Sequence, residues 1–274
     1  MIRHAAVAGR FYPAHAEILA RDLSQYVRPA PRRLQALGCL VPHAGYMYSG
    51  HVAGAVYGAL ELPSTYVILC PNHTGRGAPL AMYAEGEWET PLGRVAVDRE
   101  LAAQLRTACP SLSEDALAHA GEHSLEVQLP FLQRLTPGFT FVPVAIGVGS
   151  FAPLENLGEA LARVLPAWPR PVLIVASSDM NHYEDDHTTR LKDQKAIDAL
   201  LALDARALYD VVRRQNISMC GFGPAVAMLT AARRLGADRA ELIRYATSGD
   251  ISGDRSAVVG YAGIAVYRQA DQQE

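Results

Sequence analysis

The chain alternates two kinds of hydrophobic pattern. Short unbroken apolar runs, such as "VILC" and "VLIVA", predict strands over 37–41, 66–70, 140–146, 172–176, 241–246 and 257–267. Runs without a polar member suit strands covered on both faces. Between them, apolar residues recur at helical spacing and predict helices over 15–27, 50–60, 98–108, 123–135, 153–165, 186–202, 204–215 and 223–235. Helix-end chemistry agrees. Asp98 and Asp204 stand where a side chain can cap, Pro224 sits in a first turn, and Gly236 follows a last one. The stretch 85–98 alternates and turns at Pro91-Leu92-Gly93, which reads as a small hairpin or an edge strand. No repeat or Pro/Ser-rich linker divides the chain. The expectation is an α/β fold in one domain spanning 1–274.

The polar residues collect where the predicted strands end. "GCLVPHAGY" ends a strand in His43, "YVILCPNHTG" ends one in His73, and "VLIVASSDMNHY" ends one in Asp179 and His182. "ISMCGFGP" brings Cys220 just ahead of a helix, and "ATSGDISGDRS" forms a Gly/Ser/Asp loop after the strand at 241–246. Ligands of open α/β sheets bind outside the carboxyl ends of the strands, so these arms reach one rim. A single histidine after a strand is more often a hydrogen-bonded loop residue than a ligand; several at one topological level change that weighting. Neutral imidazoles with a thiolate or carboxylate make a first-row transition-metal site. The helix dipole behind Cys220 is expected to favour its thiolate. His182 suits proton transfer near neutral pH. In "GEHSLEVQLPF", Glu122, His123 and Glu126 read equally well as a capped helix against the sheet or as a pocket wall; the spacing is not HExxH.

Composition removes some function classes. Lys+Arg number 25 against 28 Asp+Glu, a formal charge of −3, and no basic run occurs, so neither nucleic acid nor an anionic membrane is an expected partner. No segment approaches the ~20 apolar residues needed to span a bilayer. The first residues do not read as a signal peptide. Four scattered cysteines without a CxxC spacing fit a reduced, cytoplasmic protein. Cys39 and Cys70 read as core residues, and Cys109 carries no chemistry.

The motifs "AGRFYP" (8–13), "PHAGYMYSG" (42–50), "PNHTG" (71–75), "EHSLEVQLP" (122–130), "SSDMNHY" (177–183), "MCGFGP" (219–224) and "TSGDISGD…VVGYA" (247–262) occur in this order. Together they resemble the Memo family, whose prokaryotic members are called AmmeMemoRadiSam system protein B. The resemblance spans essentially the whole chain. It implies a fold similar to LigB-type class III extradiol dioxygenases: a three-layer domain with a mixed, mostly parallel sheet and helices on both faces. It also implies a metal pocket whose ligands fall on His43, His73 and Cys220. Fe(II) is the first expectation, with Cu or Zn as alternatives. Asp179 and His182 match the positions expected to take part in catalysis. Cys220 stands where the dioxygenases have a carboxylate, so ring cleavage does not follow from the likeness. Implied partners are an AMMECR1-like protein and a radical SAM enzyme of the same system, with an unknown small molecule or peptide in the pocket.

Three functions compete at this level. They are a metal-dependent redox or dioxygenase-like protein, a Zn-dependent hydrolase, and a non-catalytic module for peptide binding or metal handling. Fold alone does not choose among them. Tyr46, Tyr48, Tyr183 and Phe222 flank the ligand motifs and can serve a pocket or the core.

Overall fold

Four apolar runs lie side by side as parallel strands and form the floor of the molecule. In the computed structural model, which describes residues 1–272, they belong to a single α/β domain. The strands are β1 (Ile2–Arg3), β2 (Ala36–Val41), β3 (Thr65–Pro71), β4 (Leu80–Met82), β5 (Glu87–Thr90), β6 (Gly93–Val97), β7 (Ser113–Glu114), β8 (Thr140–Ile146), β9 (Val172–Ser177), β10 (His182–Glu184), β11 (Arg239–Thr247) and β12 (Val258–Tyr267). The helices are α1 (Ala16–Tyr26), α2 (Tyr46–Ala59), α3 (Arg99–Ala108), α4 (His123–Glu126), α5 (Leu129–Leu135), α6 (Phe151–Val164), α7 (Asp186–Leu201), α8 (Ala205–Arg214), α9 (Phe222–Arg234) and α10 (Gly249–Ser252). The sheet order is β1-β5-β6-β8-β3-β9-β2-β12-β10, with β11 also on β12 and β4 on β8. β8, β3, β9 and β2 are parallel to their neighbours within this group, and β12 closes it antiparallel. The mixed sheet is the one the sequence resemblance implies.

Strand residues alternate between two cores, as the two-residue side-chain period requires. Val67, Leu69, Val142, Val144, Ile174 and Ala176 face the core built with α3, α6, α7, α8 and α9. Tyr66, Ile68, Cys70, Phe141, Leu173 and Val175 face the other, built with α1, α2 and α5. Cys39, Cys70 and Cys109 are buried packing residues, as expected. Asp98 and Asp204 cap their helices through the Leu101 and Ala207 amides. The hairpin forms between β5 and β6. Among the described residues no helix is long and apolar enough to cross a membrane.

Two helices differ from the sequence reading. The segment 123–135 is divided into α4 and α5, because Pro130 has no N–H to continue the ladder and starts a new helix at its second position. α2 begins at Tyr46 rather than residue 50. It is buried on nearly all sides, so it has no amphipathic period that marks its start. Its first free amide, Tyr46 N–H, donates to Phe11 O of the N-terminal turn (2.8 Å).

That N-terminal segment is fastened to α4. Arg3 is buried, pairs with the carboxylate of Glu126, and donates to the carbonyls of His119 and Glu122. Glu126 also accepts from the Ala6 and Val7 amides and from the Tyr12 hydroxyl. A buried ion pair of this kind is tolerated when every lone pair has a donor.

α2 crosses the end of α1 at glycines. A Cβ on Gly54 would overlap the backbone of Tyr26, and one on Gly58 the backbone of Arg28. In an open helix, Gly→Ala gains about 0.5–1 kcal/mol. Here the sign reverses. Gly54→Ala is expected to destabilise by roughly 1–3 kcal/mol, the usual range for overpacking, as read by urea unfolding.

Candidate metal centre

The carboxyl ends of β2, β3 and β9 open on one pocket. His43 follows β2, His73 follows β3, and Asp179 follows β9. His123 enters from the first position of α4, and Cys220 from the turn before α9. One ligand atom from each of His43, His73 and His123 lies within 4.8 Å of the others. His73 and His123 stack with centroids 4.7 Å apart, and His43 meets both rings edge-on at 5.2 and 5.5 Å. Cys220 Sγ is 3.1 Å from His43 Nε2. Gly221 lets this turn close on the β9 end: a Cβ there would strike Ser177 O and Ser178, and its N–H donates to Ser178 Oγ.

Glu122 prepares one side of the pocket. It is fully buried, and its carboxylate accepts from His73 N–H (2.6 Å), His73 Nδ1 (2.9 Å), Ser124 N–H (3.0 Å) and Ser124 Oγ (2.7 Å). Burial alone would raise its pKa. The His73 and Ser124 hydrogen bonds outweigh that and bring it down to about 2. An ionised carboxylate only accepts, so His73 Nδ1 carries the hydrogen and Nε2 is the nitrogen turned away from Glu122. Carboxylate–histidine pairs of this kind orient metal ligands.

Burial holds His43 and His123 neutral. Burial, reinforced by the His123, His73 and His182 rings, holds His43 well below the usual histidine range. Burial brings His123 down to about 4, against the pull of Glu122. Burial, with the charge of Asp179 beside it, pushes the Cys220 thiol up. This desolvation outweighs the expected α9 dipole, so without a cation nearby the group is a thiol. Neutral imidazoles are the form that ligates. Three imidazole nitrogens gathered this closely fit a transition-metal ion on donor chemistry alone.

Asp179 and His182 stand at the same rim in different settings. Asp179 Oδ1 accepts from the His43 amide at 2.7 Å and thereby clamps the turn carrying that ring. Burial raises its carboxyl to about 7, against the His43 and Ala44 amides. His182 donates Nδ1–H to Ser218 O (2.9 Å), which leaves Nε2 as its basic nitrogen. Its strand is tied to the Cys220 turn through Asn181, whose side-chain oxygen accepts from Ser218 N and Oγ, both at 3.1 Å. Asn181 N–H in turn donates to buried Asp193.

The other flagged residues are placed as follows. Tyr46 is core, with its hydroxyl on Val127 O. Tyr183 is exposed beside His182, at a left-handed φ of 63°. Phe222 packs near Tyr209. In the "SGDISGD" loop, Asp250 pairs with Arg190 and Arg255, and Asp186 joins the same network, so the loop is bolted to α7. Asp185 is the residue that caps α7. Of the undecided trio, Glu122 supports His73, His123 joins the cluster, and Glu126 anchors the N-terminus. The signal for His123 was the adjacent acid in "EHSLE". Ser177 and Gln128, which also touch the site, gave no sequence signal.

Burial raises Asp193 to about 7, against hydrogen bonds from Tyr245 and the Asn181 amide. The unfolded carboxyl ionises near ~3.9, so the folded chain holds more protons between these values and loses stability as pH rises. The stability of Asp193→Asn relative to wild type is expected to climb from pH ~4 to ~7 and then level off, as measured by urea unfolding across that range.

Comparison with known proteins gives the family of the chain. A family model described as "Memo-like protein" matches residues 3–265. A MEMO1 family protein of Methanosarcina acetivorans is 45% identical over 267 residues, covering 97% of this chain and 99% of its own. One from Methanopyrus kandleri is 43% identical over 282 residues, covering 98% and 100%. An uncharacterised Escherichia coli protein of known structure shares the fold at TM-score 0.55 and 13% identity, covering 84% of this chain and 100% of its own. The chain belongs to the Memo family.

Proposed function

We propose that this Memo family chain binds one first-row transition-metal ion through His43 and His73, with His123 and Cys220 completing the donor set, and works as a metal-dependent redox protein. The observation that carries this reading is the convergence of three imidazole nitrogens within 4.8 Å, with His73 fixed from behind by Glu122. Nitrogen and sulfur donors favour Fe(II), Cu or Zn over Mg or Ca. Fe(II) heads the order because open positions beside a few protein ligands suit oxygen chemistry. When bound, the ion supplies a redox-active Lewis acid. The chain supplies the rest. His182 Nε2 and the Asp179 carboxyl stand at the rim for proton transfer, and the two cores keep water from the floor of the pocket. The working context in the cytoplasm with an AMMECR1-like protein and a radical SAM enzyme is part of this proposal and rests on family resemblance.

One observation favours a second reading. Three histidines are also the donor set of catalytic zinc, and a carboxyl with a pKa of about 7 suits a base for bound water.

Protein purified without oxygen is expected to carry iron or copper, read by elemental analysis. Stoichiometric zinc in its place would assign the hydrolytic reading. His43→Ala should weaken binding beyond the roughly 10–100-fold that a change behind a ligand costs. Cobalt-loaded protein separates the donor sets. A sulfur-to-cobalt charge-transfer band that Cys220→Ser abolishes would place the thiolate on the metal; no band in wild type would leave the three histidines.

A further inference from the structure

The tautomer of His43 follows from the hydrogen bonds behind it. His43 Nδ1 is 3.0 Å from Ser177 Oγ, and neither group shows its proton. The surroundings supply it. Ser177 Oγ also lies 2.6 Å from Ser124 O and 2.9 Å from Gln128 Nε2. A carbonyl only accepts, so the one hydroxyl hydrogen of Ser177 goes to Ser124 O. Gln128 is itself oriented: Nε2 donates to Pro42 O (3.0 Å), and Oε1 accepts from Tyr57 O–H (2.8 Å). Its amide therefore donates to Ser177. With its hydrogen committed and one lone pair taken, Ser177 Oγ has only an acceptor left for His43. Gln128, Ser124 and Ser177 are all fully buried, so no solvent competes.

We infer that Ser177 is a positioning residue that holds His43 in the Nδ1–H tautomer and so turns the Nε2 lone pair toward the pocket and Cys220 Sγ. The inference rests on the metal reading for its purpose but not for its measurement. The same network reaches the other arms: Ser124 supplies the carbonyl for Ser177 and the hydroxyl for Glu122, behind His73. In Ser177→Ala the hydroxyl acceptor at 3.0 Å is gone, only the residue-177 carbonyl beside the ring remains, and Gln128 Nε2–H becomes a second donor near Nδ1. His43 then moves its proton to Nε2, where it blocks the ligand position. Ser177→Thr keeps the hydroxyl and keeps the tautomer.

The test is the ring-nitrogen shifts of His43 in chelator-treated, metal-free protein, read by long-range proton–nitrogen correlation at neutral pH. Wild type and Ser177→Thr are expected to show Nδ1–H, and Ser177→Ala to show Nε2–H. A loosened imidazole drifts to Nε2–H by itself, so Ser177→Ala is read only where its amide spectrum and urea unfolding show native packing, and there a purely structural role predicts that Nδ1–H persists. Nε2–H in wild type overturns the inference even if no variant folds, and Nδ1–H in a folded Ser177→Ala overturns it as well. Cobalt titration of the same proteins separates the two levels. A 10–100-fold weaker affinity in Ser177→Ala, on the scale of lost support behind a ligand, supports the link to metal binding. A wild type that binds no cobalt, zinc or iron while His43 remains Nδ1–H sinks the metal reading and leaves the tautomer assignment standing.

Discussion

The pocket depends on one buried charge. The Glu122 carboxylate sits in the protein with no exposed surface, and such a group survives only if donors replace its water. It receives four, two from His73 and two from Ser124. In return it fixes the backbone of the β3 exit, the ring of His73 and the first turn of α4. That turn carries His123. Two of the three clustered imidazoles therefore owe their place to one side chain, and Ser124 passes the constraint to Ser177 and the third.

The parallel sheet makes this economical. β2, β3 and β9 run the same way, so their carboxyl ends deliver His43, His73 and Asp179 to one level without long loops. Helices on both faces bury His43 and Glu122 at the floor, while His73 stays open to solvent at the rim. Burial then does chemical work. It keeps His43 and His123 neutral, which is the form that ligates, and keeps Cys220 a thiol. The rigid network behind the rings limits how far they must move on binding.

Much of this was legible along the chain. Unbroken apolar runs marked the central strands, and the polar residues just past them marked the rim, which is how His43, His73, Asp179, His182 and Cys220 were singled out together. The start of α2 was hidden because a helix buried all round has no polar face to count. The break after α4 lay in Pro130, inside an otherwise helical pattern. His123 was ambiguous because its partners are His73 and His43, set by tertiary packing. Ser177 was invisible for a different reason. It ends an apolar run as an ordinary small residue, and its meaning comes from Gln128, 49 positions away, and His43, 134 away.

The fastening of the N-terminus has a consequence in time. Arg3 meets Glu126 across 123 positions, and His43 meets Cys220 across 177. Neither pair can close until the later partner has left the ribosome, and such distant contacts form slowly. The first strand waits on the middle of the chain, and the pocket on its last quarter. The gathering of His43, His73, His123 and Cys220 in this architecture thus arrives late and all at once. A nascent or partly folded chain offers scattered histidines, and only the finished molecule offers a site.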